Sequence, residues 1–351
     1  MADNRVVVSV DDLKEGMIAA EEVIINNNVL ITKGARLTDS IIKKLKDVYL
    51  ENDLQVYERD PEQENILKES RKELEQAQMT VKRLCGHLEN MFFKIKLEGK
   101  TDINEVTSFS KKVMEELISP RTMIKNIVIE GSGQDSIYKH SVNVVILSSL
   151  LGKWLGFTED RLNLLAYSAI LHDFGKTRIS KDILNKYPRL NTEDMEEFKK
   201  HPVIAYNLIK NISYLSNSVK YGVLMHHERI DGSGYPLGLK EDKIHKYAKI
   251  IAIADTFDYI NSNKNSNDPF KALEYIRKDC LGKLDYNYSK IFVDHVANYF
   301  FGENVLLNDG RVGKIVHIDT NNLSKPLILC DENFIDLKQN SELKVEGFLM
   351  D

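Results

Sequence analysis

Cysteine is scarce in this 351-residue chain: Cys85, Cys280 and Cys330 are the only three, far apart and without a CxxC pair. Neither a thiolate zinc cluster nor a disulfide framework is available to it, and a reducing compartment fits. An excess of one charge sign is missing too. Its 48 Lys and Arg against 53 Asp and Glu give a formal charge of −5, so no basic surface is set up to coat a nucleic-acid polymer, and an anionic ligand must be held at a local site. No apolar run reaches the about 18–20 residues that span a bilayer, and the polar start Met-Ala-Asp-Asn-Arg lacks a signal-peptide core. The expectation is a cytoplasmic protein without a membrane anchor of its own. No repeat is visible, and the only low-complexity tract is the Asn/Ser-rich run at residues 261–267. What remains, 42% apolar and 29% charged residues, describes a folded chain long enough for two or three domains, one with a sizeable core.

Residues 1–60 read as a small α/β module with a regulatory or docking role. Arg5-Val6-Val7-Val8 begins a strand, Glu22-Val23-Ile24-Ile25 and Val29-Leu30-Ile31 flank an Asn-rich turn, and Thr38 or Asp39 caps a helix with Ile41, Ile42, Leu45 and Val48 on its core face. Residues 61–120 form a helical linker or hairpin. Leu67, Leu74, Val81, Leu88 and Ile95 recur every seventh residue, with Ser70, Ala77, Leu84 and Met91 between them. Such a seam packs on a neighbouring helix or makes a homodimer contact, and its small members disfavour a long intermolecular coil. A second helix is expected from Asp102 to Pro120, with Glu105 in capping-box position.

Residues 121–302 are expected to be nearly all helical, with helices over 138–154, 158–171, 192–212, 216–225, 247–261, 269–280 and 289–300. The second of these delivers His172-Asp173 at its end. Residues 303–351 switch to short β-prone runs around the turn Asn308-Asp309-Gly310 and read as a small β domain. The fold class is mainly α: an all-helical core with a small N-terminal α/β module, a helical linker and a small C-terminal β domain.

Five of the 9 histidines, His140, His172, His201, His226 and His227, fall within this helical stretch. Two sit beside acids, in His172-Asp173 and His226-His227-Glu228, and Asp255 ends the apolar run Ile250-Ile251-Ala252-Ile253-Ala254. A carboxylate buried after such a run is costly unless paired, and a metal removes that cost. His87, His245, His295 and His317 carry no such context. Imidazole and carboxylate without thiolate suit iron, manganese or a similar ion. Seven such side chains exceed one tetrahedral shell, so two metals bridged by Asp173 are the economical reading, an arrangement suited to in-line phosphoryl displacement. Lys176 stands one turn past Asp173, where it can meet a phosphate oxygen. The segment Asp231-Gly232-Ser233-Gly234-Tyr235-Pro236 has the glycines, proline and aromatic of a ligand-facing turn.

In this order the segments resemble the HD-GYP family, a branch of the HD metal-dependent phosphohydrolases. His140-Ser141-Val142 is similar to the family's first ligand motif, His172-Asp173-Phe174-Gly175-Lys176 to its HDxGK signature, and His201-Pro202 to the HP that follows. His226-His227-Glu228-Arg229-Ile230-Asp231-Gly232-Ser233-Gly234-Tyr235-Pro236 is similar to HHExxDGxGYP throughout, and Ala254-Asp255-Thr256-Phe257-Asp258 to the closing ligand segment. The resemblance spans residues 140–258. It implies an HD-type core, hydrolysis of the bacterial second messenger cyclic di-GMP to pGpG or GMP, and a centre of two or three ions, often iron or manganese. By the same resemblance the metal ligands are His140, His172, Asp173, His201, His226, His227 and Asp255. Asp173 and Lys176 are catalytic, and Lys176, Tyr235, Asp258 and Lys264 meet substrate.

Two positions depart from the family. Ser136 stands where three-metal members carry a glutamate, so two metals and mainly pGpG are expected. Residues 261–267, with Lys264 as their one cation, replace an Arg- and Tyr-rich segment. The expected activity is a cyclic di-GMP phosphodiesterase in which a hydroxide bridging the metals attacks phosphorus opposite the 3′-oxygen, while Lys176 stabilises or protonates the leaving group. The altered segment motivates the alternative of a low-activity cyclic-dinucleotide sensor or interaction protein with the same pocket and unknown signalling partners. A third reading, a hydrolase of dNTPs or (p)ppGpp, is disfavoured by the complete GYP segment.

Overall fold

A computed structural model describes residues 5–14, 16–25, 28–48, 53–57, 61–98, 103–116, 119–133, 137–262, 270–330 and 333–348. The chain divides into two compact units, residues 1–73 and 74–350.

The first unit contains β1 (Arg5–Ser9), β2 (Ile18–Ala19), β3 (Val23–Ile25), β4 (Asn28–Ile31), α1 (Asp39–Val48) and β5 (Asp53–Tyr57). β3 and β4 pair as the expected hairpin; residues 26 and 27 of its turn lie outside the described residues. The central strand of the other sheet is β5, antiparallel to both β1 and β2. Sequence reading passed over it, although Leu54 and Val56 alternate with polar neighbours and are buried with Ala19, Leu37 and Leu45. Thr38 caps α1 by accepting from the Ile41 amide at 3.4 Å.

The unit boundary falls inside α2 (Pro61–Glu98). From Ala77 on, the heptad seam is spent within the second unit: Val81, Leu84, Leu88, Met91 and Ile95 are buried there together with Phe92. The side chains of Leu67 and Ser70 lie outside the described residues. The helix expected from Asp102 to Pro120 is α3 (Ile103–Glu116), and a further helix, α4 (Pro120–Glu130), begins where it was expected to end, with Ser119 as its cap and Pro120 in its first turn.

Then follow α5 (Ile137–Trp154), α6 (Glu159–Leu171), α7 (Lys181–Lys186), α8 (Thr192–Phe198), α9 (His201–Ile209), α10 (Asn217–Leu224), α11 (Lys246–Ser262), α12 (Lys271–Lys278) and α13 (Tyr286–Asn298). α5 and α11 are apolar nearly all round and pack on each other at the centre, with α6 against α5. The single helix expected over residues 192–212 breaks into α8 and α9. Pro202 has no amide hydrogen to donate and sits in the first turn of α9, so the helix restarts at His201. α13 begins three residues earlier than expected because Asp285 caps it, accepting from the Tyr288 amide at 3.1 Å.

The last strands are β6 (Asn304–Leu307), β7 (Val312–His317), β8 (Leu327–Cys330), β9 (Asn333–Asp336) and β10 (Val345–Phe348). They form one antiparallel sheet in the order β10-β6-β7-β8-β9, with the Asp309-Gly310 turn between β6 and β7 and Gly310 at φ +86°. Their apolar face, with Val305, Leu307, Ile315 and Ile328, is continuous with the helical core. Glu303 fixes the junction by accepting from Arg121 Nε at 3.0 Å and Lys125 Nζ at 2.5 Å on α4.

Candidate metal centre

Five helices point their ends or inner faces at one spot. α5 supplies His140 and α6 ends at His172-Asp173, with Asp173 in the bridge region at φ −98°, ψ 5°. α9 starts on His201, His226 and His227 follow α10, and Asp255 comes from the buried face of α11. A tight 3-10 turn, Phe174–Arg178, brings Asp173 to α9. It can do so only with glycine at position 175, where a Cβ would stand 2.0 Å from the His201 carbonyl oxygen.

Three of the imidazoles are set by one local device. His172 Nδ1 donates to Ala169 O at 2.7 Å, His201 Nδ1 to Phe198 O at 2.8 Å, and His226 Nδ1 to Val223 O at 2.6 Å. Each Nε2 is thereby a bare lone pair facing inward. His140 uses a carboxylate instead: its Nδ1 lies 2.8 Å from Asp258 Oδ2, whose other oxygen accepts from Asn143 Nδ2 at 2.7 Å.

All seven expected ligands come together, in two groups: Asp173, His201, His226 and His227, and His140, His172 and Asp255. Asp173 faces both. Its Oδ1 is 3.3 Å from His201 Nε2 and 3.9 Å from His226 Nε2, while Oδ2 is 3.4 Å from His140 Nε2 and 3.5 Å from His172 Nε2. Asp255 likewise reaches His140 Nε2 at 3.2 Å and His227 Nδ1 at 3.6 Å.

The donor set fits a metal. His201 Nε2 lies 3.3 Å from His226 Nε2 and 3.1 Å from His227 Nε2, so lone pairs confront one another where a shared cation would relieve them. His140 Nε2, His172 Nε2 and Asp173 Oδ1 are buried without a hydrogen-bond partner. Burial would push His140 down, yet the Asp255 carboxylate 3.2 Å from its Nε2, the hydrogen bond of its Nδ1 to Asp258 and the charge of Asp173 hold it up at about 10. An imidazole that binds a proton so firmly between carboxylates is placed to take a cation instead.

Burial drives the other imidazoles the opposite way, His201 to about 3 and His172, His226 and His227 downward, against the pull of Asp173 on the first three. Asp173 resists its own burial chiefly through the charge of Lys176 beside it, which holds it well below the usual carboxylate range. The neutral imidazoles give a pH prediction. In the unfolded chain they take up protons near 6.5, while in the folded protein they stay neutral far below that, so acid favours unfolding. His140 has the opposite sign, but its contribution is complete below 6.5 and fades only as pH rises through about 10. The melting temperature of chelator-treated protein should therefore fall steadily from about pH 6.5 down to about pH 5. A flat or rising profile there contradicts the assignment.

The remaining expected site residues divide. Lys176 Nζ sits 2.5 Å from Asp173 Oδ2 and 5.2 Å from the Phe198 ring centre, at the edge of the centre. Tyr235 stacks on His227 with ring centres 4.6 Å apart. Asp258 was expected to meet substrate; it is fully buried, with its oxygens on His140 Nδ1 and Asn143 Nδ2. Lys264 and Ser136 lie outside the described residues. Sequence reading gave Asn143 and Glu228 no role. Buried Glu228 accepts from the Leu237 and Leu239 amides at 2.7 and 2.8 Å, pinning the loop that carries Tyr235. Asn143 was findable three residues past His140 on the same helix face.

Residues 127–287 match the family model described as HD domain. The chain is 26% identical over 258 residues to the cyclic di-GMP phosphodiesterase PA4108 of Pseudomonas aeruginosa, covering 73% of this chain and 62% of that protein. It is 34% identical over 193 residues to the cyclic di-GMP phosphodiesterase PdeB of Borreliella burgdorferi, covering 54% and 50%. The chain thus spans between half and two thirds of the length of these relatives. Among solved structures, Bd1817, a HDG"Y"P protein from Bdellovibrio bacteriovorus, superposes with a TM-score of 0.55 at 19% identity, covering 83% of this chain and 99% of that one. That likeness shows the fold. No helix among the described residues is long and apolar enough to cross a membrane.

Proposed function

With residues 127–287 belonging to the HD domain family, we propose that this chain is a metal-dependent cyclic dinucleotide phosphodiesterase that opens cyclic di-GMP at a 3′–5′ phosphodiester and releases mainly pGpG. One observation carries the reading: the two oxygens of Asp173 face different histidine groups, as a carboxylate bridging two ions must. The activity borne in the names of the two relatives supports the substrate class.

His140, His172 and Asp255 would hold one ion and His201, His226 and His227 the other, with Asp173 shared between the two groups. Such ions, iron or manganese, would supply an activated water as nucleophile and draw charge from the phosphate. The protein's own contribution is orientation. The backbone carbonyls behind His172, His201 and His226 fix their tautomers, and Asp258 with Asn143 fixes that of His140. Lys176 lies beside the bridging carboxylate, where its ammonium can meet a phosphate oxygen or protonate the departing 3′-oxygen.

The reading is tested by anaerobic purification followed by chromatography of the products formed from cyclic di-GMP, its cyclic GMP-AMP analogue, dGTP and ppGpp. It predicts pGpG as the main early product and no hydrolysis of dGTP or ppGpp. Hydrolysis confined to dGTP or ppGpp overturns it.

A further inference from the structure

The histidine and carboxylate group is not enclosed equally on all sides. The side chains of His172, His201 and His226 are 0% exposed and that of Asp173 1%, whereas His227 and Asp255 are 12%, His140 14% and Lys176 16% exposed. Those four mark the open side.

Two tyrosines that the metal chemistry does not use stand beside Asp255. Tyr259 lies one helical turn beyond it on α11, hence on the same face. The Tyr259 ring centre is 5.7 Å from that of Tyr187, which follows α7 and stacks on Phe198 at 4.6 Å with the planes 14° apart. Phe198, buried at the end of α8, in turn lies 5.2 Å from the His201 ring. A file of rings thus runs from the Asp255 side of the centre to the His201 side. Tyr235 adds another ring to the same region, 6.3 Å from His201. Burial, with the charges of Asp255 and Asp173 adding to it, holds the hydroxyls of Tyr187 and Tyr235 far above their ordinary range, so both stay neutral.

A phosphodiester alone needs charge and metal, which the seven ligands and Lys176 provide. Flat apolar surface beside the opening serves something flat attached to the phosphate. Tyr187 is held by Phe198 beneath it and Tyr259 beside it, so little side-chain freedom is lost when a ring settles on it. We propose that Tyr187, supported by Phe198 and Tyr259, is a specificity-determining residue that stacks a nucleobase of the substrate. This assignment rests on the phosphodiesterase reading above and names a base subsite within it.

The test is steady-state hydrolysis of cyclic di-GMP by the metal-loaded wild type and by Tyr187→Ala, Tyr187→Phe and Tyr259→Ala, with metal content measured on each. Tyr187→Ala should raise KM about tenfold while kcat and metal content stay near wild type, the loss expected of one base stack. Tyr187→Phe should keep the wild-type KM, since the ring and not the hydroxyl acts. Tyr259→Ala, on a regular helix, should raise KM in the same direction and guards against a folding defect peculiar to the Tyr187 turn. An unchanged KM in both alanine variants overturns the assignment while leaving the phosphodiesterase reading intact, as does a fall in kcat that tracks lost metal. A wild type that neither binds nor turns over cyclic di-GMP defeats both.

Discussion

Asp173→Ala should lose bound metal and turnover together, with kcat falling on the order of a thousandfold or more. Asp173 presents a separate oxygen to each histidine group, with two imidazoles facing each oxygen, and a Cβ methyl offers neither group a ligand atom. The deletion also strands the Lys176 ammonium, now 2.5 Å from Asp173 Oδ2, but Lys176 is 16% exposed and can turn to water. The fold should therefore survive, and far-ultraviolet circular dichroism should remain that of wild type. Asp173→Asn separates charge from volume: it fills the same space, lacks the anionic bridge, and should release metal nearly as completely. A variant that keeps both ions and the wild-type rate would remove Asp173 from the centre.

Gly175→Ala should damage stability and metal binding at once. The added Cβ would meet three backbone atoms of α9, His201 O at 2.0 Å, Ala205 N at 2.8 Å and His201 C at 2.9 Å, and backbone cannot swing aside as a long side chain can. Pushing α9 away costs about 1–3 kcal/mol, as overpacking elsewhere does, and lowers the melting temperature by several degrees. It also lengthens the 3.3 Å approach of His201 Nε2 to Asp173 Oδ1. A misplacement of about 1 Å in such a group costs about a hundredfold in rate. Gly86→Ala is the matched control: no neighbour lies within 4 Å of a Cβ built there in the interior of α2, so the variant should be as stable as wild type or more so by up to about 1 kcal/mol. Equal melting temperatures and metal contents for the Gly175 and Gly86 variants would contradict the close approach of the two turns.

The meeting of the histidines and carboxylates was legible because it is written in adjacent residues. His172-Asp173 and His226-His227 are polar pairs at the ends of apolar helices, and the Nδ1-to-carbonyl device that aims His172, His201 and His226 is local, spanning three residues each. What the sequence hid depends on contacts between distant segments. Asp258 was expected at the substrate, yet the packing of α11 on α5 turns it to His140 and Asn143. Tyr187 comes from a turn with no period to read, and its meeting with Tyr259 joins residues 72 positions apart (259 − 187). The short strand β5 went unread because its pattern is only two buried residues long. Pro202, by contrast, did mark the break before α9, and the error there was to weigh the apolar periodicity of residues 192–212 above it.

The central claim is that two ions share Asp173, and it is tested most directly by the metal content of the anaerobically purified protein, measured together with its rate on cyclic di-GMP as metal is withdrawn by a chelator and restored with manganese. The account predicts about two ions per chain, a rate that falls as they leave, and recovery when they return. Undiminished turnover by protein stripped of metal would contradict it.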